Sequence, residues 1–502
     1  MNYYPIEDYG VIGDLNTVAL VGLYGSIDFM CFPEFDSPSI FCALLDKQKG
    51  GHFDILPCRG KVKNKQMYLP DTNVLLTRFL SPHGVGEITD FMPLKELHCG
   101  HVLVRRVTQV RGEEEYRMNF RPRFNYARSP HKVERRGNSL IFTSLGDEGL
   151  VIKLTSSVPL KIKKGDGYAK FSLRPEETAD FIMEQVNCEI STEIEKGSFV
   201  DHSLHQTVNY WKRWIERSKY NGRWQETVNR SALVLKLMTS RKHGSIIAAP
   251  TFGLPEKIGG EKNWDYRYSW IRDAAFTLYA LIRLGYTREA GAFMKWLRVY
   301  CKDLKDPGSL GLMYSVYGDK KLEEIELTHL EGYMKSSPVR IGNAAYNQFQ
   351  LDIYGELMDS IYLYDKYGEP ISFELWNDLV GQINWVCDNW KRPDEGMWEV
   401  RGGKREFLSS RLMCWVAVDR AFRLAAKRSF PMPSHWANVR NEIYYSIHNE
   451  FWDKKRKTFV QHKGAERVDA STLIMPLVRF ISPRDAKWLS TLSYIEKNLV
   501  SD

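Results

Sequence analysis

The sequence lacks the features that mark several common classes of protein. Its eight cysteines are scattered and form no C-x-x-C pair, which predicts buried thiols in a reducing compartment, with neither a zinc site nor a disulfide framework. No apolar run reaches the ~18–20 residues that a transmembrane helix requires. The N-terminal residues lack the basic and then apolar stretches of a secretory signal. We therefore expect a cytoplasmic protein with no metal, no other cofactor and no membrane contact.

A signature of nucleic-acid binding is also missing. The net charge of +8 is spread along the chain, and its densest basic runs, Lys161–Lys164 and Lys454–Lys457, are typical of solvated surfaces. No helix-turn-helix, zinc-finger or RNA-binding motif accompanies them, so we expect no nucleic-acid partner. The hydrophobic fraction of 43% is ample for packed cores, and a length of 502 residues predicts two or three domains.

The chain from residue 10 to about residue 205 has the pattern of short β-strands. Runs rich in Val, Ile, Thr and Phe are separated by turn residues at intervals of roughly 8–12 residues, which indicates an antiparallel sandwich. The clearest runs are Thr17–Val21, Val74–Leu80, His101–Gln109, Ser139–Ser144 and Gly149–Ser157. Tyr116–Tyr126 and Lys161–Leu173 alternate apolar and polar residues as half-buried strands do. We place a β-sandwich domain at residues 1–204 and a linking helix at 205–222.

After Gly222 the pattern changes to helical periodicity. About nine segments show it, each bounded by Gly, Pro or a capping residue. They are Trp224–Lys242, Ile271–Gly285, Thr287–Leu304, Asn347–Tyr367, Ser372–Trp390, Ser409–Arg428, Pro433–Phe451, Ala470–Ile481 and Pro483–Val500. Residues 223–502 are therefore predicted to form a helical domain, and the fold class is a multidomain β + α protein.

The segment Trp264–Asp273 is the most informative stretch of the sequence. It holds four aromatic residues, two arginines and two aspartates directly before an apolar helical run. Aromatic faces beside hydrogen-bonding charges suit a sugar, whose CH faces stack on rings while its hydroxyls are held by Asp and Arg. Asp265, Tyr266 and Trp270 are the candidates here, together with Arg272 and Asp273. The alternative is a helix start that Asp273 caps while the aromatics fill a core.

Two further segments carry candidate residues. His329–Asn343 supplies Tyr333 and Arg340 before a helix, and its alternative interpretation is an ordinary loop with an N-cap. In Asp394–Glu406, Glu399 directly follows Trp398. A carboxyl beside an indole in a partly dry site has its charged form disfavoured, which raises its pKa and lets it donate a proton near neutrality. The alternative for this segment is that Glu399 is a loop glutamate paired with Arg401.

Hydrolysis of a glycosidic bond requires two carboxyls on opposite sides of that bond. In an inverting enzyme they lie roughly 6.5–9.5 Å apart, which leaves room for a water molecule. Glu399 is one candidate. The residue pattern alone nominates no clear second carboxyl.

Taken together, these motifs resemble glycoside hydrolase family 15, the glucoamylase and trehalase group, and most closely its bacterial and archaeal members. The matching motifs follow the family's order along the whole chain. They are Ile6–Asp14, Thr17–Val21, Gly25–Asp28, Ala248–Glu256, Trp264–Asp273, Pro338–Gln350, Trp398–Gly403 and Asp469–Ser471.

The resemblance implies an N-terminal β-sandwich followed by an (α/α)6 toroid of twelve helices, and release of glucose from α-glucosidic ends with inversion. Glu399 matches the general acid, and Arg272 with Asp273 matches the pair that grips the innermost glucose. The remaining predicted sugar contacts are Tyr266, Trp270, Tyr333, Arg340 and Trp398.

The sequence also departs from the family's pattern. About nine helices are fewer than twelve, and the family's general base is expected beyond Asp502, so we expect an incomplete toroid without its base. A catalytically silent sugar-binding or interaction module on the same scaffold is therefore the alternative function. The expected substrate is trehalose or a maltooligosaccharide, and association with identical subunits is left open.

Overall fold

The computed structural model describes residues 3–58, 62–94, 100–186, 198–300, 305–400 and 402–500. The chain divides into two compact units that interleave along the sequence. The first unit consists of Met1–Lys242, Ala249–Tyr268 and Glu324–Gly342, and the second unit of His243–Ala248, Ser269–Glu323 and Asn343–Asp502.

The first unit contains two antiparallel sheets of eight strands each. The strands of one sheet, in spatial order, are Tyr9–Gly13, Val18–Gly22, Ser26–Cys31, His52–Pro57, Glu114–Arg121, Asp166–Leu173 and Lys161–Lys163, with Ser39–Phe41 paired to the third of them. Those of the other sheet are His131–Arg136, Ser139–Ser144, Val151–Ser156, Thr178–Gln185, Val102–Gly112, Gly84–Phe91, Leu75–Ser81 and Lys63–Tyr68.

The core of the first unit lies between the inward faces of these sheets. Strand Glu114–Arg121 alternates buried and less buried residues, because successive side chains of a strand point to opposite faces. Its Phe120 contacts Phe53 of the same sheet at a ring-centroid distance of 5.1 Å and Phe142 of the other sheet at 5.0 Å. Aromatic contacts between the facing sheets, such as that of Phe120 with Phe142, form the core of the predicted sandwich.

Two predicted strands of the first unit are shorter than the sequence pattern suggested. The alternation of Tyr116–Tyr126 continues to Phe124, but the strand ends at Arg121 and leads into a turn where Asn125 and Tyr126 have φ of 50° and 59°. Lys161–Leu173 is a hairpin, because Lys164 and Gly165 adopt φ of 51° and 82°. Two successive positive φ values reverse a strand tightly.

The first unit also includes the helices Phe199–Ile215 and Gln225–Leu237. The first of them replaces the linking helix expected at 205–222. It begins earlier because its apolar stripe begins earlier: Phe199 and Val200 pack in one cluster with Val102, Val104 and other residues of the second sheet. The predicted domain boundaries at 204 and 222 stay predictions, although compactness groups both helices with the sheets.

The described part of the second unit contains seven α-helices. They are Ile271–Leu284, Thr287–Tyr300, Asp352–Tyr367, Phe373–Asn389, Leu408–Arg428, Trp436–Glu450 and Ala486–Leu499. The predicted end of one helix, at residues 301–304, lies outside the described residues. The helix predicted over Ala470–Ile481 is wrong: a 3-10 helix spans Ala470–Ile474 instead, since Pro476 has no N–H to continue an α-helical ladder.

Helices Asp352–Tyr367 and Leu408–Arg428 approach each other closely in the second unit. A Cβ at Gly355 would lie 2.2 Å from the carbonyl oxygen of Met413, so only glycine allows this approach. Helix Asp352–Tyr367 is thereby held with its first residues beside the candidate site. No helix among the described residues is long and apolar enough to span a membrane.

Candidate active site

Arg272 joins three segments of the second unit. It is the second residue of helix Ile271–Leu284, and its side chain is 10% exposed. Its Nη1 donates to Gln350 Oε1 and to Asp352 Oδ2, both at 2.9 Å, and its Nη2 donates to Glu399 Oε1 at 3.2 Å. The guanidinium fork therefore has a fixed orientation.

The charge of Arg272 is retained despite its burial. Burial lowers the pKa of this guanidinium, but attraction by Asp352, Asp273 and Glu399 outweighs that effect and raises the pKa above its ordinary value. A buried arginine with flanking carboxylates is the arrangement expected when a charge is kept out of water.

Glu399 is held by the indole of Trp270 as well as by Arg272. The same Oε1 accepts the Trp270 Nε1–H at 2.8 Å, while Oε2 accepts no hydrogen bond from the residues that the structure describes. Burial raises the pKa of Glu399 above the ordinary glutamate value, although Arg272 and the Trp270 hydrogen bond pull it down. A carboxyl that keeps its proton to higher pH is what general-acid catalysis requires.

The loop that carries Glu399 has a constrained backbone. Asp394 and Arg405 close it with two backbone hydrogen bonds of 3.0 and 2.8 Å. Gly396 has φ of 68°, and a Cβ there would lie 2.6 Å from the Phe407 ring. Glu399 itself has φ of 52°, which costs a non-glycine residue roughly 1–2 kcal/mol. Such strain persists at functional sites when the surrounding contacts impose it.

Those contacts come from the segment before helix Asp352–Tyr367. The Glu395 N–H donates to the Phe349 carbonyl oxygen at 3.1 Å, and the Phe349 N–H donates to Glu395 Oε2 at 2.9 Å. Leu351 N–H donates to Asp394 Oδ2 at 2.8 Å, and Gln348 Nε2 donates to the Glu399 carbonyl oxygen at 3.3 Å. The loop that carries Glu399 is therefore fixed to the segment before helix Asp352–Tyr367 by hydrogen bonds at Asp394, Glu395 and Glu399.

Further buried carboxyls surround this centre. Burial raises the pKa of Asp273 and raises that of Glu356 well above the ordinary values, and it raises the pKa of Asp394 to about 7. Asp352 Oδ1 is buried without a hydrogen-bond partner among the described residues. Glu356 and Asp394 were missed by sequence reasoning. The spacing of Asp352 and Glu356, four residues apart near a helix start, was the available signal.

The second unit brings together five of the predicted site residues. Trp270, Arg272 and Glu399 are joined by hydrogen bonds, and their chain neighbours Asp273 and Trp398 lie beside them. The Trp398 side chain is 56% exposed. The roles of these residues in binding a sugar and in catalysis stay predictions.

The other three predicted contacts belong to the first unit. Tyr266 is half-buried, and Tyr333, only 2% exposed, donates its hydroxyl to the Tyr4 carbonyl oxygen at 2.8 Å. Arg340 donates to the Glu261 carbonyl oxygen at 2.6 Å and pairs with Glu326. Within their own unit, Tyr333 and Arg340 therefore have structural contacts, and their contribution to a sugar site stays a prediction.

Asp265 has a structural role that differs from the one we expected. Its carboxylate and the Arg267 guanidinium are both fully buried and form a bidentate pair of 2.9 and 2.6 Å. Arg267 also donates to the Ser37 carbonyl oxygen at 2.7 Å. Asp265 is thus a core ion-pair residue of the first unit. Arg401, the arginine considered as a partner of Glu399, lies outside the described residues.

The fold and the site together define a class of protein. A carboxyl with a raised pKa, held by an indole and an arginine, fits one of the two carboxyls that hydrolysis of a glycosidic bond requires. Residues 222–502 match the family described as Glycosyl hydrolases family 15, and residues 2–198 match the one described as Trehalase-like, N-terminal. The chain belongs to glycosyl hydrolase family 15 and is a glycosidase.

Named relatives and a solved structure agree with this assignment. The trehalase of Thermoplasma volcanium is 34% identical over 507 residues, covering 100% of this chain and 80% of that protein. The trehalase of Mycobacterium tuberculosis is 33% identical over 523 residues, covering 99% and 76%. A bacterial glucoamylase complexed with acarbose matches with a TM-score of 0.72 at 12% identity, covering 99% of this chain and 79% of that chain.

These comparisons decide two of the predictions. The predicted family is confirmed, and so is the predicted fold class of antiparallel sheets followed by a helical domain. The incomplete toroid, with about nine of its twelve helices, stays a prediction. Among the described residues, no group of His, Cys, Asp or Glu side chains is arranged to hold a metal ion.

Proposed function

We propose that this chain supplies the general acid and the glucose subsite of an enzyme that releases glucose from α-glucosidic substrates with inversion, and that trehalose is the preferred substrate of this enzyme. The observation that carries the proposal is the Glu399 carboxyl, which is held by Trp270 and Arg272 and has a raised pKa. Relatives named trehalase, at 34% and 33% identity over nearly the whole chain, favour trehalose over a maltooligosaccharide.

Glu399 acts as the general acid in this proposal. Its Oε1 is occupied by two N–H donors, which leaves Oε2 to carry the proton. As the glycosidic bond breaks, Oε2 gives this proton to the leaving oxygen and the carboxyl becomes negatively charged. The Arg272 guanidinium and the Trp270 indole already point at that carboxyl, so they stabilise the new charge without reorganisation.

The innermost glucose is assigned to the neighbourhood of Arg272 and Asp273. The Asp273 carboxyl makes no hydrogen bond to another side chain in the part of the chain that the structure describes, so it is available to sugar hydroxyls. Hydroxyl groups held by a charged acceptor form stronger hydrogen bonds than those between neutral groups.

Inversion also requires a base that removes a proton from water on the opposite face of the sugar. We assign this base to none of the described carboxyls. Asp352 is bonded to Arg272 at 2.9 Å, and Asp273 also interacts with that arginine. Both carboxyls therefore serve the same arginine as Glu399, whereas a base must stand across the sugar from the acid.

A substrate panel tests the proposal. Glucose release is measured with trehalose, maltose, maltotriose and soluble starch, with wild-type protein and with Glu399→Gln. We expect the highest kcat/KM for trehalose and a loss of roughly 10²–10⁴-fold in the variant, since glutamine has no proton to give. Faster hydrolysis of maltotriose and starch would overturn the assignment of trehalose.

The matched control is Glu442→Gln, at an exposed position in a helix of the second unit. It makes the same chemical change and should leave kcat/KM unchanged. Trehalose binding without glucose release by the wild-type protein would support the alternative, a catalytically silent sugar-binding module.

A further inference from the structure

The Trp398 indole is both exposed and hydrogen-bonded. It is 56% exposed, which leaves much of a large apolar ring in contact with solvent. Its Nε1–H nevertheless donates to Asp469 Oδ2 at 2.6 Å. An exposed aromatic ring that is tethered through its N–H presents a surface of defined orientation.

The carboxylate that tethers Trp398 is itself firmly held. Asp469 is 7% exposed, and its Oδ2 also accepts the Gln461 Nε2–H at 2.9 Å. Its Oδ1 accepts the Ser471 N–H at 2.7 Å and so caps the 3-10 helix Ala470–Ile474. Gln461 is anchored in turn, because its carbonyl oxygen accepts the Leu408 N–H at 2.9 Å. Asp469 therefore cannot turn away without breaking several hydrogen bonds.

Trp398 and Glu399 are neighbours in the chain but reach different partners. The Glu399 carboxyl contacts Trp270 and Arg272, at the start of helix Ile271–Leu284. The Trp398 indole contacts Asp469 instead. The Glu399 carboxyl is thus directed toward the proposed glucose subsite, whereas the Trp398 indole is directed toward a different segment of the second unit.

We infer that Asp469 is a positioning residue, which holds the Trp398 ring as a platform for the sugar on the leaving-group side of Glu399. This inference rests on the proposed function, because a leaving-group sugar exists only if Glu399 protonates a glycosidic oxygen. The CH face of that sugar stacks on the indole. A ring fixed before binding loses less rotamer freedom when the sugar arrives, which strengthens binding.

The first test is kinetic, with trehalose as the substrate. Asp469→Ala should raise KM roughly ten-fold, which corresponds to about 1.4 kcal/mol, and change kcat less than three-fold. The matched control is Asp485→Ala, which removes another capping carboxylate of the second unit, the one bonded to Lys487 N–H at 2.8 Å. It should leave KM unchanged. Equal effects of the two substitutions would overturn the inference.

A double-mutant cycle separates positioning from simple loss of a helix cap. If Asp469 acts through the ring, Asp469→Ala should have no further effect on KM in a Trp398→Ala background, because the platform is already gone. If the KM effects of the two substitutions multiply, Asp469 acts elsewhere and the inference is wrong.

A spectroscopic test does not depend on turnover. In protein labelled with 5-fluorotryptophan, the ¹⁹F signal that disappears in Trp398→Phe belongs to Trp398. We expect this signal to shift and broaden in Asp469→Ala, to stay in place in Asp485→Ala, and to respond to trehalose in the wild-type protein. An unchanged signal in Asp469→Ala would overturn the inference, whereas absence of glucose release with an intact tether would overturn only the proposed function.

Discussion

Asp394→Asn should change how the stability of the second unit depends on pH. Asp394 is fully buried, and burial raises its pKa from 3.8 to about 7. In the wild-type protein the Leu351 N–H donates to Asp394 Oδ2 at 2.8 Å. The asparagine keeps a side-chain oxygen that can accept this hydrogen bond, but it has no ionisable carboxyl. Any pH-dependent difference between the two proteins therefore reports the ionisation of Asp394.

The sign follows from the direction of this pKa change. Well below pH 3.8 the carboxyl is protonated in both the folded and the unfolded chain, so its contribution to stability is fully present. As the pH rises toward 7, the unfolded chain ionises while the folded chain resists, and this contribution is lost. A pKa of about 7 in place of 3.8 corresponds to roughly 4 kcal/mol.

Urea unfolding followed by far-UV circular dichroism at pH 4, 5, 6 and 7 measures this effect, since most helices lie in the second unit. The free energy of unfolding of Asp394→Asn minus that of the wild-type protein should increase by roughly 3 kcal/mol across this range. Asp388→Asn, at an exposed helix position, is the control for adding an amide. A difference that stays constant with pH would refute the reasoning.

Three further outcomes are expected. Gly355→Val should destabilise the second unit by roughly 3 kcal/mol or more in urea unfolding, because a Cβ would lie 2.2 Å from a backbone oxygen of the neighbouring helix. The control is Gly402→Val, because nothing lies within 4 Å of a Cβ at that position. Equal losses of stability in the two variants would contradict the close approach of the helices. Asp365 has a lowered pKa because hydrogen bonds from Lys427 and Arg428 outweigh its burial, so the stabilisation that its carboxylate provides is present at neutral pH and lost as pH falls through the folded pKa. Asp365→Asn should therefore destabilise the protein more at pH 7 than at pH 3, and a loss independent of pH would argue against this ion pairing. Glu399→Gln should leave the melting temperature within a few degrees of the wild-type value while it abolishes turnover, and unfolding at room temperature would show that the residue is chiefly structural.

The division into sheets and helices could be predicted because it depends on local periodicity. Ser139–Ser144 was located to the residue, since alternation of two residues is visible in a short window. The helix at Ala470 was mispredicted because its apolar spacing is helical, while Pro476 prevents the ladder. The hairpin at Lys164 and Gly165 was missed because Lys carries no signal for a positive φ, although Gly165 does.

The site could be predicted only in part, because the local sequence does not determine which polar side chains are buried or which partners they contact. Within Trp264–Asp273, the chain passes from the first unit to the second after Tyr268, so Asp265 became a core ion pair while Arg272 reached Glu399. Nothing in the spacing of the ten residues announces that division. The hydrogen bonds of Asp394 to Leu351 and of Asp469 to Trp398 could not be predicted for the same reason, since these partners lie tens of residues away in sequence.

The most direct test of the central claim is the anomeric form of the glucose that trehalose releases. Inversion with Glu399 as the acid predicts one α-glucose from the leaving group and one β-glucose from the attacked sugar, in equal amounts in ¹H NMR spectra recorded before mutarotation. Glu399→Gln should release both forms roughly 10²–10⁴-fold more slowly. Two equivalents of α-glucose, or an unchanged rate in the variant, would contradict the account.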